Sequence, residues 1–320
     1  MRLFVTGGAG FIGSNYVHWV LGNSDDTVTV FDALTYAGNL TNLGDLDDEP
    51  RLTFVRGDIT DRAAVLAAMA GHDAVVHFAA ESHVDRSIIS PDEFVRTNCD
   101  GTNVMCDVAV KVGVERFLHI STDEVYGSIE TGSFSERDPL EPRSPYSASK
   151  AGSDLIALSY RSTYGLPVLV TRSSNNFGPY QFPEKVIPLF ATNLLDGEKV
   201  PLYGDGLNIR DWCFVEDNCR GVDLVLRSGA IGEVYNIGAG NEVTNRELTS
   251  TVLELLGQND SMIEYVEDRL GHDRRYSIDI SKVRKLGWAP RREFREALEA
   301  TVAWYRDNRW WWEPLKQRKG

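Results

Sequence analysis

The stretch Gly7-Gly8-Ala9-Gly10-Phe11-Ile12-Gly13 constrains this chain more than any other. An apolar run, Leu3 to Thr6, leads into it, and a helical stretch, Phe11 to Leu21, leads out. Glycines at such a junction let the backbone turn tightly and approach a pyrophosphate held at the helix N-terminus, here by Gly7, Gly10, Phe11, Ile12 and Gly13. A second apolar run, Val28 to Phe31, ends in Asp32, 19 residues beyond Gly13. A carboxylate there accepts from both ribose hydroxyls of an adenosine and repels a 2′-phosphate. No arginine follows closely, so the pattern predicts NAD rather than NADP. Asp58-Ile59, after the run Leu52 to Val55, is placed to line an adenine pocket; it reads equally well as the approach to a helix capped at Asp61.

Three further β-rich runs follow, Ala74 to Phe78, Phe117 to Ser121 and Val168 to Thr171, separated by helical stretches at Arg62 to Met69, Asp92 to Val110 and Tyr146 to Tyr164. This alternation predicts an α/β chain with a Rossmann-type doubly wound parallel sheet of six strands. After Arg172 the pattern changes to turns rich in Asn, Gly and Pro, such as Asn175 to Pro179 and Gly204-Asp205-Gly206, with helical patterns at Glu216 to Leu226, Arg246 to Leu256 and Phe294 to Tyr305. A smaller α/β substrate-binding domain is expected there. The boundaries read as 1–173 for an NAD-binding domain, with a returning segment near 210–238, and 174–209 with 239–320 for the substrate domain. Trp310-Trp311-Trp312 reads as a closing aromatic cluster.

The 320 residues are 42% hydrophobic and 25% charged, an ordinary globular composition. A net charge of −14 repels nucleic acid. No apolar run approaches the roughly 18 residues of a membrane span, and Leu3-Phe4-Val5 meets glycines too soon for a signal-peptide core, so the expected location is cytoplasmic. Cys99, Cys106, Cys213 and Cys219 form no C-x-x-C pair, and with six scattered histidines they offer no zinc spacing. Reduced thiols and no metal are expected.

Tyr146 and Lys150 stand at i and i+4, on one helix face. A neighbouring ammonium stabilises phenolate and is expected to pull the tyrosine toward neutrality, making it a base for an alcohol proton. Just before this pair, Ser121-Thr122-Asp123-Glu124 leaves the fifth predicted strand at its carboxyl end, the edge where doubly wound sheets bind ligands. Thr122 can hydrogen-bond the same substrate hydroxyl, and Asp123 and Glu124, ordinarily solvated charge on a loop, stand here at the ligand edge.

Gly7-x-x-Gly10-x-x-Gly13, Thr122 and Tyr146-x-x-x-Lys150 together resemble the extended short-chain dehydrogenase/reductase family. Further blocks run nearly end to end: Ala80 to Ser87, Thr122 to Gly127, Asn175 to Tyr180, Pro183-Glu184-Lys185, Asn208 to Trp212 and Gly271 to Tyr276. These are similar to the dTDP-glucose 4,6-dehydratases within that family. Leu270 stands where proline is usual and Phe177 where tyrosine is common; neither touches the chemistry.

The resemblance implies a substrate, dTDP-glucose, and three stages. Tyr146, as phenolate, takes the 4-hydroxyl proton while hydride leaves C4 for NAD. Glu124 removes the C5 proton while protonated Asp123 serves the departing 6-hydroxyl, and hydride then returns to C6. It places Ala79, Ala80 and an active-site-shaping Asn98 on the cofactor side. Ser82, Asn175, Asn176, Glu184, Lys185, Arg210, Asn245 and His272 fall on the substrate side, with Arg210 holding the diphosphate. Arg269 to Arg275 is a second basic patch or a solvated turn, and Glu184 and Lys185 read equally as a surface ion pair. His83, Asp85 and Arg86 read as a structural network or as ligand contacts. The resemblance also implies a homodimer built on the Asp92 to Val110 and Tyr146 to Tyr164 helices. A nucleotide-sugar 4-epimerase shares the glycine loop, Thr122, Tyr146 and Lys150 but needs no Asp123-Glu124 pair, and a non-catalytic NAD-binding sensor would share the fold.

Overall fold

The computed structural model describes residues 1–268 and 271–317, so Arg269 and Leu270 lie outside it. All six apolar runs form strands: β1 Arg2–Thr6, β2 Thr27–Asp32, β3 Leu52–Arg56, β4 Ala74–His77, β5 Arg116–Thr122 and β6 Val168–Ser173. Helices α1 Phe11–Asn23, α2 Arg62–Met69, α3 Val84–Ile89, α4 Pro91–Phe94, α5 Thr102–Val112 and α6 Pro145–Tyr164 lie between them. Pairing is parallel throughout, in the order β6-β5-β4-β1-β2-β3. The order reverses at the β4-β1 junction, which opens a crevice at the carboxyl ends of those strands.

The chain then makes β7 Asn175–Phe177, α7 Val186–Leu195, β8 Val200–Tyr203, β9 Ile209–Phe214 and α8 Val215–Ser228 before β10 Val234–Ile237 pairs parallel with β6. The main sheet therefore has seven strands rather than the six expected. Asn236 interrupts the apolar pattern of β10, which hid the strand. In the fold its side chain accepts from the Tyr126 hydroxyl at 2.8 Å and donates to the Phe134 and Asp279 carbonyls. The return begins at α8, not at 210, because β9 pairs with β7 and with β11 Glu242–Thr244 in a separate three-stranded sheet. Helix α9 Asn245–Leu255 follows, then β12 Ile263–Val266, which pairs with β8, and helices α10 Ser281–Lys285, α11 Phe294–Asp307 and α12 Arg309–Gln317.

The single helix expected over Asp92 to Val110 is also corrected. Between α4 and α5 the chain takes a π-helical course over Val95–Gly101. A π turn accommodates one extra residue, and such turns occur mostly at functional sites. Here it carries the buried side chain of Asn98, and at Gly101 a Cβ would meet Ile59 Cδ1 at 2.4 Å.

Alternation along β1 sends Leu3 and Val5 to one face and Phe4 to the other. The first face packs on Tyr16, Val20, Val222 and Val225 of α1 and α8, the second on Met105, Val108 and Ala157 of α5 and α6. A third core joins Phe177, Phe190, Trp212, Leu298 and Tyr305 to Trp311 and Trp312, both buried as expected, while Trp310 is 62% exposed. Among the described residues no helix is long and apolar enough to cross a membrane, no cluster of ligating side chains could hold a metal ion, and the four cysteines are free thiols.

Candidate active site

The glycine loop is shaped by contact as much as by conformation. A Cβ at Gly13 would lie 2.1 Å from the Gly7 carbonyl oxygen, and one at Gly7, whose φ is +69°, would lie 2.6 Å from Ala79 N. Gly10 caps α1 without a side chain, and the first turn carries no acid, so the helix opens bare N–H groups toward an anion. Asp32 is buried at the end of β2 and accepts from Ala9 N at 3.0 Å and Leu34 N at 2.8 Å. Burial raises its pKa, and these two backbone bonds oppose the rise. The Ala9 carbonyl accepts from Asn42 Nδ2 at 2.9 Å, and Asn42 Oδ1 accepts from the Trp311 indole at 2.8 Å, so the C-terminal aromatic core braces the loop.

A long cavity runs from this loop along the switch point. Gly7, Gly10, Phe11, Ile12, Gly13, Asp32, Asp58, Ile59, Ala79, Ala80, Tyr146 and Lys150 all line it. The residues after Asp32 that face it, Ala33, Thr35, Tyr36, Ala37 and Gly38, bring no cation. Asp58 also accepts from the Thr60 N–H and hydroxyl, and Asp61 caps α2. The chamber fits a dinucleotide whose ribose meets a carboxylate rather than a basic side chain. Asn98 does not line it. Its amide bridges the Glu81 N–H and carbonyl to Ser149 Oγ at 2.8 Å, which ties the loop after β4 to α6.

Helix α6 starts at a capping box, Ser144 with Ser147, and at Pro145 in its first turn. This sets Tyr146 and Lys150 beneath the end of β5. Lys150 Nζ donates to the Ile120 carbonyl at 2.7 Å, and burial lowers its pKa to about 8. The expected lowering of Tyr146 is reversed. Burial, then Glu124 and Asp123, push the phenol well up, and only the neighbouring Thr122 hydroxyl pulls the other way. Thr122 caps a short 3₁₀ turn, Asp123–Tyr126, by accepting from Glu124 N at 3.2 Å, and its Oγ lies 3.3 Å from Asp123 Oδ1. Asp123 is buried, and burial with the neighbouring Glu124 and Asp211 carboxylates raises its pKa well above the usual range. Neither Thr122 nor Asp123 lines a cavity wall; Glu124 does.

Glu124 opens on a second cavity, joined to the first at Ser82, Gln181, Glu184 and Lys185. Asn175, Asn176, Arg210, Asn245 and His272 line it, as expected of substrate-side residues. The Arg210 guanidinium stacks on Tyr276 with its centre 4.0 Å from the ring, and donates to the Ile209 and Asp273 carbonyls. Lys185 Nζ donates to the Ser82 carbonyl at 2.9 Å, and His272 Nδ1 lies 2.6 Å from Asp268 Oδ1. His83 lines the same wall while capping α3. Arg274 faces away, paired with Asp205 at 2.9 Å on an exposed turn. Buried side-chain oxygens of Asn175, Asn176, Gln181 and Glu184 lack hydrogen-bond partners among the described residues, and all four residues border this chamber. Such orphaned acceptors belong where a polar ligand completes them.

A family model described as GDP-mannose 4,6 dehydratase matches residues 4–301. The dTDP-glucose 4,6-dehydratase of Streptomyces antibioticus is 59% identical, covering 99% of this chain and 96% of its own. The chain belongs to the dTDP-glucose 4,6-dehydratase family. A solved structure of a dTDP-glucose 4,6-dehydratase from Streptomyces venezuelae, with NAD and TDP bound, superposes with a TM-score of 0.97 at 57% identity, covering 98% of this chain and all of that one. The UDP-glucose 4-epimerase of Thermotoga maritima shares the fold at 32% identity and a TM-score of 0.89, covering 96% of this chain and 99% of that one.

Several residues of this 4,6-dehydratase site escaped sequence reading. Gln181 and Phe182 line the nucleotide cavity and Trp212 and Tyr276 the second one. Trp212 and Tyr276 stand inside blocks that carried the resemblance, beside residues given roles. Tyr36 gave no signal; its ring meets Phe182 edge-on at 5.6 Å and lies 3.8 Å below the Arg86 guanidinium, a contact between distant segments.

Proposed function

We propose that this chain converts dTDP-glucose to dTDP-4-keto-6-deoxyglucose and water, with NAD held in the first cavity. The observation that carries this reading is the turn at the end of β5. One carboxylate, Glu124, opens on the second cavity, and the other, Asp123, is buried beside it with its pKa raised well above the usual range by burial and the neighbouring carboxylates. Two neighbouring carboxyl groups held in opposite protonation states are what an elimination needs. An epimerase needs only the tyrosine and lysine.

NAD, when bound, accepts the C4 hydride and returns it to C6. Gly7, Gly10 and Gly13 let the backbone reach its pyrophosphate, Asp32 receives the ribose hydroxyls, and Asp58, Ile59, Ala79 and Ala80 shape the cavity around it. Tyr146 accepts the proton of the sugar 4-hydroxyl, with Thr122 and Lys150 orienting the pair. The resulting ketone acidifies C5. Glu124 removes the C5 proton and later restores it, and Asp123 supplies the proton that turns the leaving 6-hydroxyl into water. Arg210, Asn176, Lys185, Asn245 and His272 face the nucleotide diphosphate, and Ser82, Asn175 and Glu184 face the sugar.

The chain divides on this reading into 1–173, with α8 and β10 (215–237) returning to it, for NAD, and 174–214 with 238–320 for the sugar nucleotide. It works as a homodimer in the cytoplasm. The free thiols fit a reducing compartment, and Val95, Leu155 and Tyr164, each more than half exposed on the Val95–Gly101 segment and α6, supply an apolar face for pairing.

Substrate carrying deuterium at C4 tests the reaction. The label should appear at C6 of the same product molecule, and solvent deuterium at C5. Label kept at C4 would make the protein an epimerase, and label lost as free reduced cofactor would make it a simple dehydrogenase.

A further inference from the structure

Gln181 lines both cavities at the place where they join. Its position is closely fixed. The residue before it, Tyr180, holds a φ of +67°, in the left-handed region that a bulky side chain rarely adopts. The Tyr180 ring meets Trp304 and Trp311 edge-on, with centroids at 5.0 and 5.8 Å, and stacks on His18. The Gln181 carbonyl accepts from the Tyr305 hydroxyl at 2.5 Å, and the side-chain Nε2 donates to the Asn176 carbonyl at 2.9 Å. Such backbone strain persists only where the surroundings overdetermine it, and it gathers at ligand sites.

The bond to Asn176 settles which way the amide lies. A carbonyl only accepts, so the nitrogen faces Asn176 and the oxygen is the end left over. Gln181 is 8% exposed, and its Oε1 is buried without a hydrogen-bond partner among the described residues. Leaving a buried acceptor unmet costs more than a made bond returns. Glu184 lines the same junction, and its Oε1 is unmet in the same way. A phosphate oxygen brings no hydrogen to either acceptor. A hydroxyl does.

In the reaction proposed above, the sugar gives its 4-hydroxyl proton to Tyr146 and loses its 6-hydroxyl as water. The hydroxyls at C2 and C3 take no part in the chemistry, yet both leave water when the sugar is bound. C4 has to face the end of the first cavity that holds Tyr146 and Lys150, while the diphosphate on C1 lies against Arg210 in the second. The C2–C3 edge of the ring therefore spans the junction that Gln181 occupies. We propose that Gln181 is a specificity-determining residue whose Oε1 accepts a hydrogen bond from one of these two hydroxyls. The proposal rests on the dehydratase reading. A bond to a hydroxyl that does not react is the same before and during hydride transfer, so it acts on KM rather than on kcat.

The test compares dTDP-glucose with its 2-deoxy and 3-deoxy analogues, on the wild-type holoenzyme and on Gln181→Met, which keeps the length of the side chain and loses the amide. Wild type should prefer dTDP-glucose over at least one analogue by about tenfold or more in kcat/KM, chiefly through KM. In Gln181→Met that preference should shrink to within about twofold, whatever the variant's overall rate, and the analogue concerned names the hydroxyl. Wild type that handles both analogues within about twofold of dTDP-glucose would overturn the proposal without recourse to a variant. So would a Gln181→Met enzyme that keeps the wild-type preference while losing rate on all three sugars, which is what a structural glutamine, or one that holds only the cofactor, would give. If wild-type protein makes no keto sugar from dTDP-glucose, the dehydratase reading fails instead.

Discussion

Lys150 contributes a charge that the interior resists. Its ammonium is buried and bonded to one carbonyl, and its pKa falls from 10.5 to about 8. Between those values the unfolded chain binds more protons than the folded one, so Lys150 makes stability rise with pH over that window. Activity runs the other way, because the cation that orients Tyr146 is lost as pH passes about 8. The kcat/KM profile of the enzyme should bend downward near pH 8, and Lys150→Met should lose most activity, by about 10²-fold or more, together with that bend. An unchanged alkaline limb in the variant would assign it to another group. At this scale the spacing of Tyr146 and Lys150 and the acids after Thr122 were legible in the sequence. What burial does to their protons was not, and the groups that push Tyr146 further the same way, Glu124 and Asp123 after β5 and Tyr36 after β2, come together only in the fold.

The elements that carry these side chains are held by polar groups spaced along α6. Asp154, four residues after Lys150, accepts from Arg172 Nε of β6 at 2.9 Å, and both are buried. Arg172 also donates to the Tyr126 hydroxyl, which in turn bonds Asn236 of β10, so α6, the turn after β5 and the hidden seventh strand form one network. Despite its burial, bonds to His119 and Arg172 hold the Asp154 carboxylate below its ordinary pKa. Its stabilisation is therefore present above the unfolded carboxylate value and is lost as pH falls through the lower folded one. Asp154→Asn should cost about 3–5 kcal/mol in urea unfolding at neutral pH, because it strands a buried guanidinium. A loss under 1 kcal/mol, read against the same unfolding baseline, would mean that Arg172 finds another partner. Helix α6 was legible from its spacing, though not its Ser144-Pro145 start. The π turn was not, because Asn98 departs from the α-helical pattern to meet Glu81, a contact that no local periodicity encodes.

Over the whole molecule, the two cavities meet where the Gln181 to Lys185 segment crosses the mouth of the sheet, so cofactor and sugar nucleotide share one wall. The sheet, its switch point and the Asn- and Pro-rich overlay were readable from alternation. The pairing of β9 with β7 and β11 was not, since strands that short carry little pattern of their own. The exposed apolar face on α6 gives the prediction at this scale. Leu155→Glu should halve the sedimentation mass from twice 35.7 kDa to one chain at micromolar concentration without changing the fold seen by circular dichroism. A wild-type mass of one chain would remove the dimer from the account.

Trp311 meets Asn42 across 269 positions of sequence, and Asn42 steadies the carbonyl of Ala9 in the glycine loop. During synthesis on the ribosome the loop, Asp32 and the catalytic helix all emerge well before that indole. A nascent chain halted short of it possesses every nucleotide contact and lacks the part that stiffens the loop making them. The brace on the loop that would face a dinucleotide is thereby present only in chains translated past residue 311.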